Sequence, residues 1–415
     1  MKVHLYGNTL NCAFELTKTL RQKGIDAEMF LDKSSPHEQD FPWWDDKSTS
    51  ADKLPSWVHY YPVFPNFVFA TGQTKQMIRD FAKCDVALVS GYGPILAMKA
   101  KVPFVFYSIG ADLNMIDFVD DFKQLLFNTY PPFLKLKKFI KIFTFGRMQK
   151  WALKSHANRI IVYMGYQFRK YIVGQGLEHK TVKLTWPKDV ANYKADPDEQ
   201  LNSEYAEYDS VFFMASRQSW TSVWNDPKGN DKFIRTFARY VKENGPNVIL
   251  LMAEKGNDLA ASKALVRDLE IEGHVRWMQD MPRYQLKKYQ AMPNVVMVDG
   301  FWHDRWFDRY YEDMDSVKAG FGLNAVETLS SGSLLITAFT DQEYYNGETP
   351  PVLIAFTEDE IFQRLKQLEA MTDDEREEMR QAGYDFIYKW NEQNHIIDSH
   401  IKILKEVCEE IGKQI

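Results

Sequence analysis

Ala319-Gly-Phe-Gly-Leu-Asn-Ala-Val-Glu-Thr-Leu-Ser-Ser-Gly-Ser-Leu-Leu-Ile336 decides how this chain is read. A glycine-bearing loop opens a helix that runs into an apolar strand, and a lone carboxylate, Glu327, stands in the first turns of that helix. A helix start exposes unpaired backbone amides and a partial positive charge, so Gly322, Leu323 and Asn324 can approach the oxygens of a phosphate. Glu327, a turn later, would then reach the hydroxyls of a ribose. The plainer alternative is an ordinary strand-loop-helix turn carrying one surface glutamate.

Upstream, Val211-Phe-Phe-Met-Ala-Ser-Arg217 reads as a strand ending in an arginine, and Lys228-Gly229 precedes the helical run Asp231 to Lys242. The loop between them holds Trp220 and Trp224. Together these segments resemble the donor site of retaining glycosyltransferases of the GT-B fold, particularly family 4. The family pattern is a strand, Gly-Arg, a short loop, Lys-Gly and a helix, followed later by Glu-Gly-Phe-Gly-Leu and a second Glu. Gly320, Phe321, Gly322, Leu323 and Glu327 match that motif. Ala319 stands in place of the first glutamate, Ser216 replaces a glycine, and the loop after Arg217 is longer than usual.

The resemblance implies that Arg217 and Lys228 converge on one diphosphate. Departure of a nucleoside diphosphate develops negative charge that fixed cations neutralise without a metal, each charge-assisted hydrogen bond contributing roughly 1.5–3 kcal/mol. As isolated residues they would read as solvated loop cations. The resemblance further implies that Gly7 and Asn8, in the loop Gly7-Asn8-Thr9 after the first strand, face the donor phosphate. Met281, in Val275-Arg-Trp-Met-Gln-Asp-Met281, falls where the family's backbone holds the nucleobase, although a methionine there fits core packing equally well. Tyr107-Ser-Ile-Gly-Ala-Asp112 is similar to the family's His-Gly-Ser-Asp turn, with Ile109 in the histidine's place. Asp112 then either orients the acceptor or caps the next helix.

Length and composition agree: 415 residues with 45% hydrophobic content suit two medium domains, each with its own core. Strand candidates alternate with helices, the pattern of parallel α/β sheets. They are Lys2 to Tyr6, Ala27 to Leu31, Val86 to Ser90, Phe104 to Tyr107, Arg159 to Tyr163, Ser210 to Ala215, Asn247 to Ala253, Val275 to Trp277, Val295 to Val298 and Leu334 to Ala338. Helices fit Asn11 to Lys23, Thr74 to Lys83 and Phe145 to Ser155. The expected architecture is an α/β GT-B fold, two Rossmann-like parallel-sheet domains facing across a cleft. Residues 1–190 form the acceptor domain, 191–209 a polar, acidic linker and 210–390 the nucleotide-sugar domain. Residues 391–415 form a helix that crosses back to the first domain.

Cys12, Cys84 and Cys408 lie far apart, and no His-x-x-x-His or Ser-His-Asp arrangement occurs, so neither a disulfide, nor a metal site, nor hydrolytic chemistry is expected. No cofactor beyond the nucleotide-sugar substrate is expected. The chain opens on a strand rather than a signal peptide, and no apolar run approaches the roughly 18–20 residues of a membrane span. The expected location is therefore the cytoplasm. An acidic balance of −6 without an RNA-binding motif speaks against nucleic acid as a partner.

Two regions look particular to this chain. From Phe122 to Leu177 no Asp or Glu occurs, and Lys135, Lys137, Lys138 and Lys141 alternate there with Phe133, Leu136, Phe139, Ile140 and Phe143. Apolar groups that enter a headgroup boundary beside cations that gain roughly 1 kcal/mol each from anionic lipid would make a peripheral contact with the inner face of a membrane, matching a lipid-linked acceptor. The alternatives are an excursion packed on the first domain, with its lysines solvated, and a cationic funnel for an anionic acceptor. The second region, Gly300-Phe-Trp-His-Asp-Arg-Trp-Phe-Asp-Arg-Tyr-Tyr311, places Trp302 and Trp306 where they either stack on a sugar or plug the second domain. The resulting expectation is a retaining, metal-independent sugar transferase. A non-catalytic sugar-nucleotide scaffold and an inverting enzyme using Asp112 or Asp117 as base remain the alternatives.

Overall fold

The computed structural model describes residues 1–33, 40–45, 48–67, 70–109, 113, 132–163, 171–221, 228–244, 247–301, 320–339 and 342–413. Asp112, Asp117, Trp302, Trp306 and Ala319 lie outside the described residues, as do the side chains of Lys137, Lys138 and Lys141.

Continuous apolar runs such as Val86-Ala-Leu-Val89 and Val248-Ile-Leu-Leu-Met-Ala253 are buried along their whole length, as parallel strands covered on both faces must be. The first sheet contains β1 (Lys2–Tyr6), β2 (Asp26–Asp32), β3 (Val58–Tyr61), β4 (Val86–Val89), β5 (Phe104–Tyr107), β6 (Ala157–Val162) and β7 (Thr181–Lys183), in the order β3-β2-β1-β4-β5-β6-β7. The second contains β8 (Ser210–Met214), β9 (Val248–Ala253), β10 (Val275–Met278), β11 (Val295–Asp299), β12 (Leu334–Thr337) and β13 (Leu353–Ile354), in the order β10-β9-β8-β11-β12-β13. All the strand pairings within both sheets are parallel. Each order reverses direction once, the doubly wound topology of Rossmann-like domains.

The chain divides into two compact units. The first holds Met1–Tyr163, the stretch that ends at Leu184, and Asn394–Ile415; its core includes Phe30, Phe81, Phe104, Phe106 and Ile160. The second holds Thr185–Gln393, around Phe212, Phe233, Phe237, Leu250 and Met252. The helix Gln393–Glu410 is assigned, from Asn394 onward, to the first unit.

The segment 191–209, expected as a linker, groups with the second unit. It forms the short helix Glu199–Glu204, capped by Asp198 Oδ1, which accepts from Leu201 N at 3.1 Å. Tyr205 follows, buried against Tyr289 and under the Arg276 guanidinium. Polar composition hid this, because two buried aromatic anchors, Tyr193 and Tyr205, suffice to seat a segment whose other side chains are exposed or half-buried. The helix expected over Phe145 to Ser155 starts earlier, at Pro132, and runs to Trp151 before a π-helical turn, Ala152–His156. Strands β3, β7 and β13 were not anticipated; each is short and sits at a sheet edge.

Candidate active site

In the second unit the strand order reverses between β8 and β11, and ligands of open parallel sheets bind outside the carboxyl ends of the strands at such a point. The loop leaving β8 carries Ser216, Arg217, Gln218 and Ser219. Its path is fixed by backbone contacts on both sides. Gln218 N donates to Lys255 O at 2.8 Å, and Asp258 N donates to Gln218 O at 3.1 Å. At this crossing a Cβ on Gly256, whose φ is +116°, would come within 2.3 Å of Gln218 O, so only glycine fits. Asp258 Oδ2 accepts the amides of Trp220 and Thr221 at 2.6 and 3.0 Å.

On the other side Ser219 N donates to Asn230 Oδ1 at 2.9 Å, and Lys228 N donates to Ser219 O at 2.6 Å. Phe301 N, just past β11, donates to Lys228 O at 3.0 Å. The long connection after Arg217 therefore closes at its base. Lys228 is thus tied to Ser219, two residues past Arg217, at the switch point. Arg217 is exposed and Lys228 half-buried. Ser216 Oγ and Gln218 Oε1 in the same loop are buried without a hydrogen-bond partner.

The motif helix spans Leu323–Ser331 and ends at Gly332, in the left-handed conformation at φ 76°. Gly322 is its N-cap, with φ −73° and ψ 170° and no side-chain cap, so the helix begins with backbone amides that its own cap does not occupy. Gly322, Leu323 and Asn324 are half-buried, as is Gly320. Phe321 turns inward at 5% exposure and packs on Phe339 and Tyr345 at ring distances of 4.6 and 5.9 Å. It anchors the loop in the core. Asp299, at the end of β11, stands beside this start: a Cβ on Gly322 would lie 3.7 Å from its Oδ2.

Glu327 is buried, at 2% side-chain exposure, and its Oε1 receives Lys188 Nζ and Arg283 Nε, each at 2.7 Å. Burial pushes the carboxyl up, but the charges of Arg283 and Lys188, with Lys287 beyond them, outweigh it and hold it below the ordinary range. The carboxylate expected to reach a ribose, or in the plainer alternative to lie at the surface, is thus buried and seated by two cations. Neither cation carried a sequence signal. Lys188 follows Pro187 just ahead of the segment expected as the linker, and Arg283 opens the short helix Arg283–Gln290. Met281, half-buried, follows β10 just before that helix.

In the first unit Gly7 has φ +95°, and a Cβ there would meet Ser90 O at 2.5 Å, so the turn after β1 requires glycine. Asn8 is buried and committed internally. Its Nδ2 donates to Asn11 Oδ1 at 3.0 Å and to Asp40 O at 2.6 Å, while its Oδ1 accepts Phe14 N at 2.9 Å. Asn8 thereby shapes the loop through its side chain.

On the helix Pro132–Trp151, Phe133, Leu136, Ile140, Phe143 and Trp151 recur at helical spacing and are all exposed, Phe133 at 72% and Leu136 at 60%. Arg147 lies over the Phe143 ring at 5.0 Å, and Lys135 is half-buried. Phe145 and Met148 pack toward the core. Among the described residues no helix is long and apolar enough to cross a membrane, and no group of three or more His, Cys, Asp or Glu is placed to hold a metal ion.

No protein-family model matches the chain, and no curated protein matches its sequence. Solved structures do resemble it. HepE from Anabaena, in complex with UDP and glucose, aligns with a TM-score of 0.66 at 13% identity, covering 98% of this chain and 100% of that one. Sucrose-phosphate synthase from Thermosynechococcus elongatus gives a TM-score of 0.61 at 11% identity, covering 99% and 100%. WaaG, a glycosyltransferase involved in lipopolysaccharide biosynthesis, gives 0.61 at 10% identity, covering 97% and 99%. Together with the two sheets, these likenesses establish the GT-B fold over nearly the whole chain.

Proposed function

We propose that this chain transfers a sugar from a nucleotide-diphosphate sugar to a hydroxyl of a glycan or lipid-linked acceptor, with retention at the anomeric carbon and without a metal. The pinning of the Arg217 loop to Lys228 at the switch point, in the same unit as the helix that starts at Gly322, carries this reading. Both features favour a diphosphate, the first by fixed cations and the second by aligned amides.

The work of such a site is positioning and charge stabilisation. As the bond between sugar and diphosphate lengthens, Arg217 and Lys228 neutralise the charge that gathers on the leaving oxygens, and the amides from Gly322 to Asn324 hold the distal phosphate. The acceptor hydroxyl attacks from the face the diphosphate leaves. Its proton passes to the departing phosphate oxygen, so no side-chain base is needed. HepE is solved both with UDP and glucose and with UDP-glucose, which makes UDP-sugars the first donors to assay.

Replacing Arg217 or Lys228 by alanine is expected to lower turnover on the order of 100-fold or more with the circular dichroism spectrum unchanged. Turnover at the wild-type level in both variants would remove the phosphate role. A second reading, a non-catalytic sugar-nucleotide binder, is favoured by the alanine at 319 and by the two cations already on Glu327. Nucleotide binding without turnover of any donor would select it.

The exposed apolar stripe on the helix Pro132–Trp151 supports a peripheral contact with an anionic bilayer, which would bring the enzyme to a lipid-linked acceptor.

A further inference from the structure

The two cations on Glu327 are themselves held in place by the surrounding chain. Lys188 has its backbone tied on both sides: its N–H donates to Asn391 O at 2.8 Å and its carbonyl accepts Gln393 N at 2.7 Å. The same ribbon is closed by Glu392, whose Oε2 accepts Val190 N and Ala191 N, each at 3.1 Å. From this fixed base the Lys188 side chain passes the Tyr193 ring, 4.6 Å from its centroid, to reach Glu327. Lys287 approaches the same ring at 4.2 Å. Tyr193 is itself buried, with its hydroxyl donating to Gln290 Oε1 at 3.2 Å.

Arg283 meets Glu327 from the first turn of its own helix, and both cations are only 13% and 14% exposed. The helix Asp373–Asn391 meets the motif helix at Gly383, where a Cβ would lie 3.0 Å from Leu329 Cδ2, so that contact brings no charge. Among the described residues, Lys188, Arg283 and Lys287 are charged groups that bear on the carboxylate.

A buried carboxylate without a partner costs several kcal/mol, which the cations around Glu327 offset. A second cation on the same oxygen fixes the direction of the group as well as its charge, since both donors converge on Oε1. We infer that Lys188 and Arg283 are positioning residues of the donor site, which hold the Glu327 carboxylate ionised and oriented so that it accepts hydrogen bonds from the 2′- and 3′-hydroxyls of the nucleotide's ribose. This rests on the reading of the second unit as a nucleotide-sugar site, and adds to it the two side chains that make the ribose contact selective.

The test is a comparison of affinities for UDP, ADP and GDP with those for their 2′,3′-dideoxy counterparts, by calorimetry on the full chain. Hydrogen bonds to a charged acceptor predict that the wild type discriminates against the dideoxy form of the nucleotide it binds by about 10- to 100-fold. Lys188→Met leaves a one-to-one pair of Arg283 with Glu327, so it is expected to fold and to lose most of that discrimination, with Lys188→Arg restoring it. Arg283→Met, which leaves Lys188 on Glu327, is the independent second variant. Discrimination retained in both methionine variants overturns the inference. A wild type that binds a nucleotide but treats the dideoxy form equally also overturns it, while leaving the donor-site reading standing. Failure of the wild type to bind any of the six nucleotides removes the donor-site reading itself.

Discussion

His400 shows at the residue scale how burial sets chemistry. Its Nε2 lies 2.8 Å from Tyr163 OH and its Nδ1 2.9 Å from Ile396 O. A neutral imidazole satisfies both, with Nδ1–H donating to the carbonyl and Nε2 accepting the hydroxyl. Burial pushes the ring down to about 4. Because the folded value lies below the ordinary one, the unfolded chain binds the proton first as pH falls. The contribution is full above about pH 6.5 and is lost as pH falls towards 4, on the order of 3 kcal/mol over the window. Denaturant midpoints should fall more steeply across that window in the wild type than in His400→Gln, and equal slopes would deny the histidine this role. Legibility at this scale was uneven. Gly322 and Arg217 could be placed because a helix start and a strand end announce themselves locally. The burial of Glu327 could not, since its partners Lys188 and Arg283 come from distant segments and a surface glutamate has the same sequence pattern.

Among the elements, the helix Pro132–Trp151 carries the clearest functional consequence. Its composition announced an acid-free, apolar and basic stretch, and the fold adds that Phe133, Leu136, Ile140 and Phe143 stand exposed along it while Phe145 and Met148 pack inward. Under the proposed membrane contact, these exposed apolar groups would enter a headgroup boundary, with the basic residues of the same helix drawn to anionic lipid. Replacing Lys137, Lys138 and Lys141 by glutamate is expected to abolish sedimentation with phosphatidylserine-containing vesicles, leaving the unfolding midpoint near that of the wild type. Unchanged sedimentation would exclude the contact. Strands with unbroken apolar runs, such as β4 and β9, were legible for the reason they are buried. Strands β3, β7 and β13 were not. Val58-His-Tyr-Tyr61 and Thr181-Val-Lys183 owe their extended form to pairing with a single neighbour.

For the whole molecule, two parallel sheets of the same doubly wound logic were foreseeable from the alternation of strand and helix, and the order of motifs identified the fold class. The assignment of 191–209 was less accessible, because Tyr205 anchors to the second unit a segment that polarity alone would leave as a connection. Each unit closes a core of its own, so a donor site built within Thr185–Gln393 is a property of one compact body. A ligand that binds it should raise the stability of that body by mass action. The central claim is that the Arg217 loop and the start of the motif helix receive a nucleoside diphosphate. It is tested most directly by the thermal unfolding of the purified protein with a panel of nucleoside diphosphates and nucleotide sugars in metal-free buffer, repeated on Arg217→Ala. Selective stabilisation by one base, lost in the variant, is the predicted result; no shift with any nucleotide, or the same shift in both proteins, would contradict it.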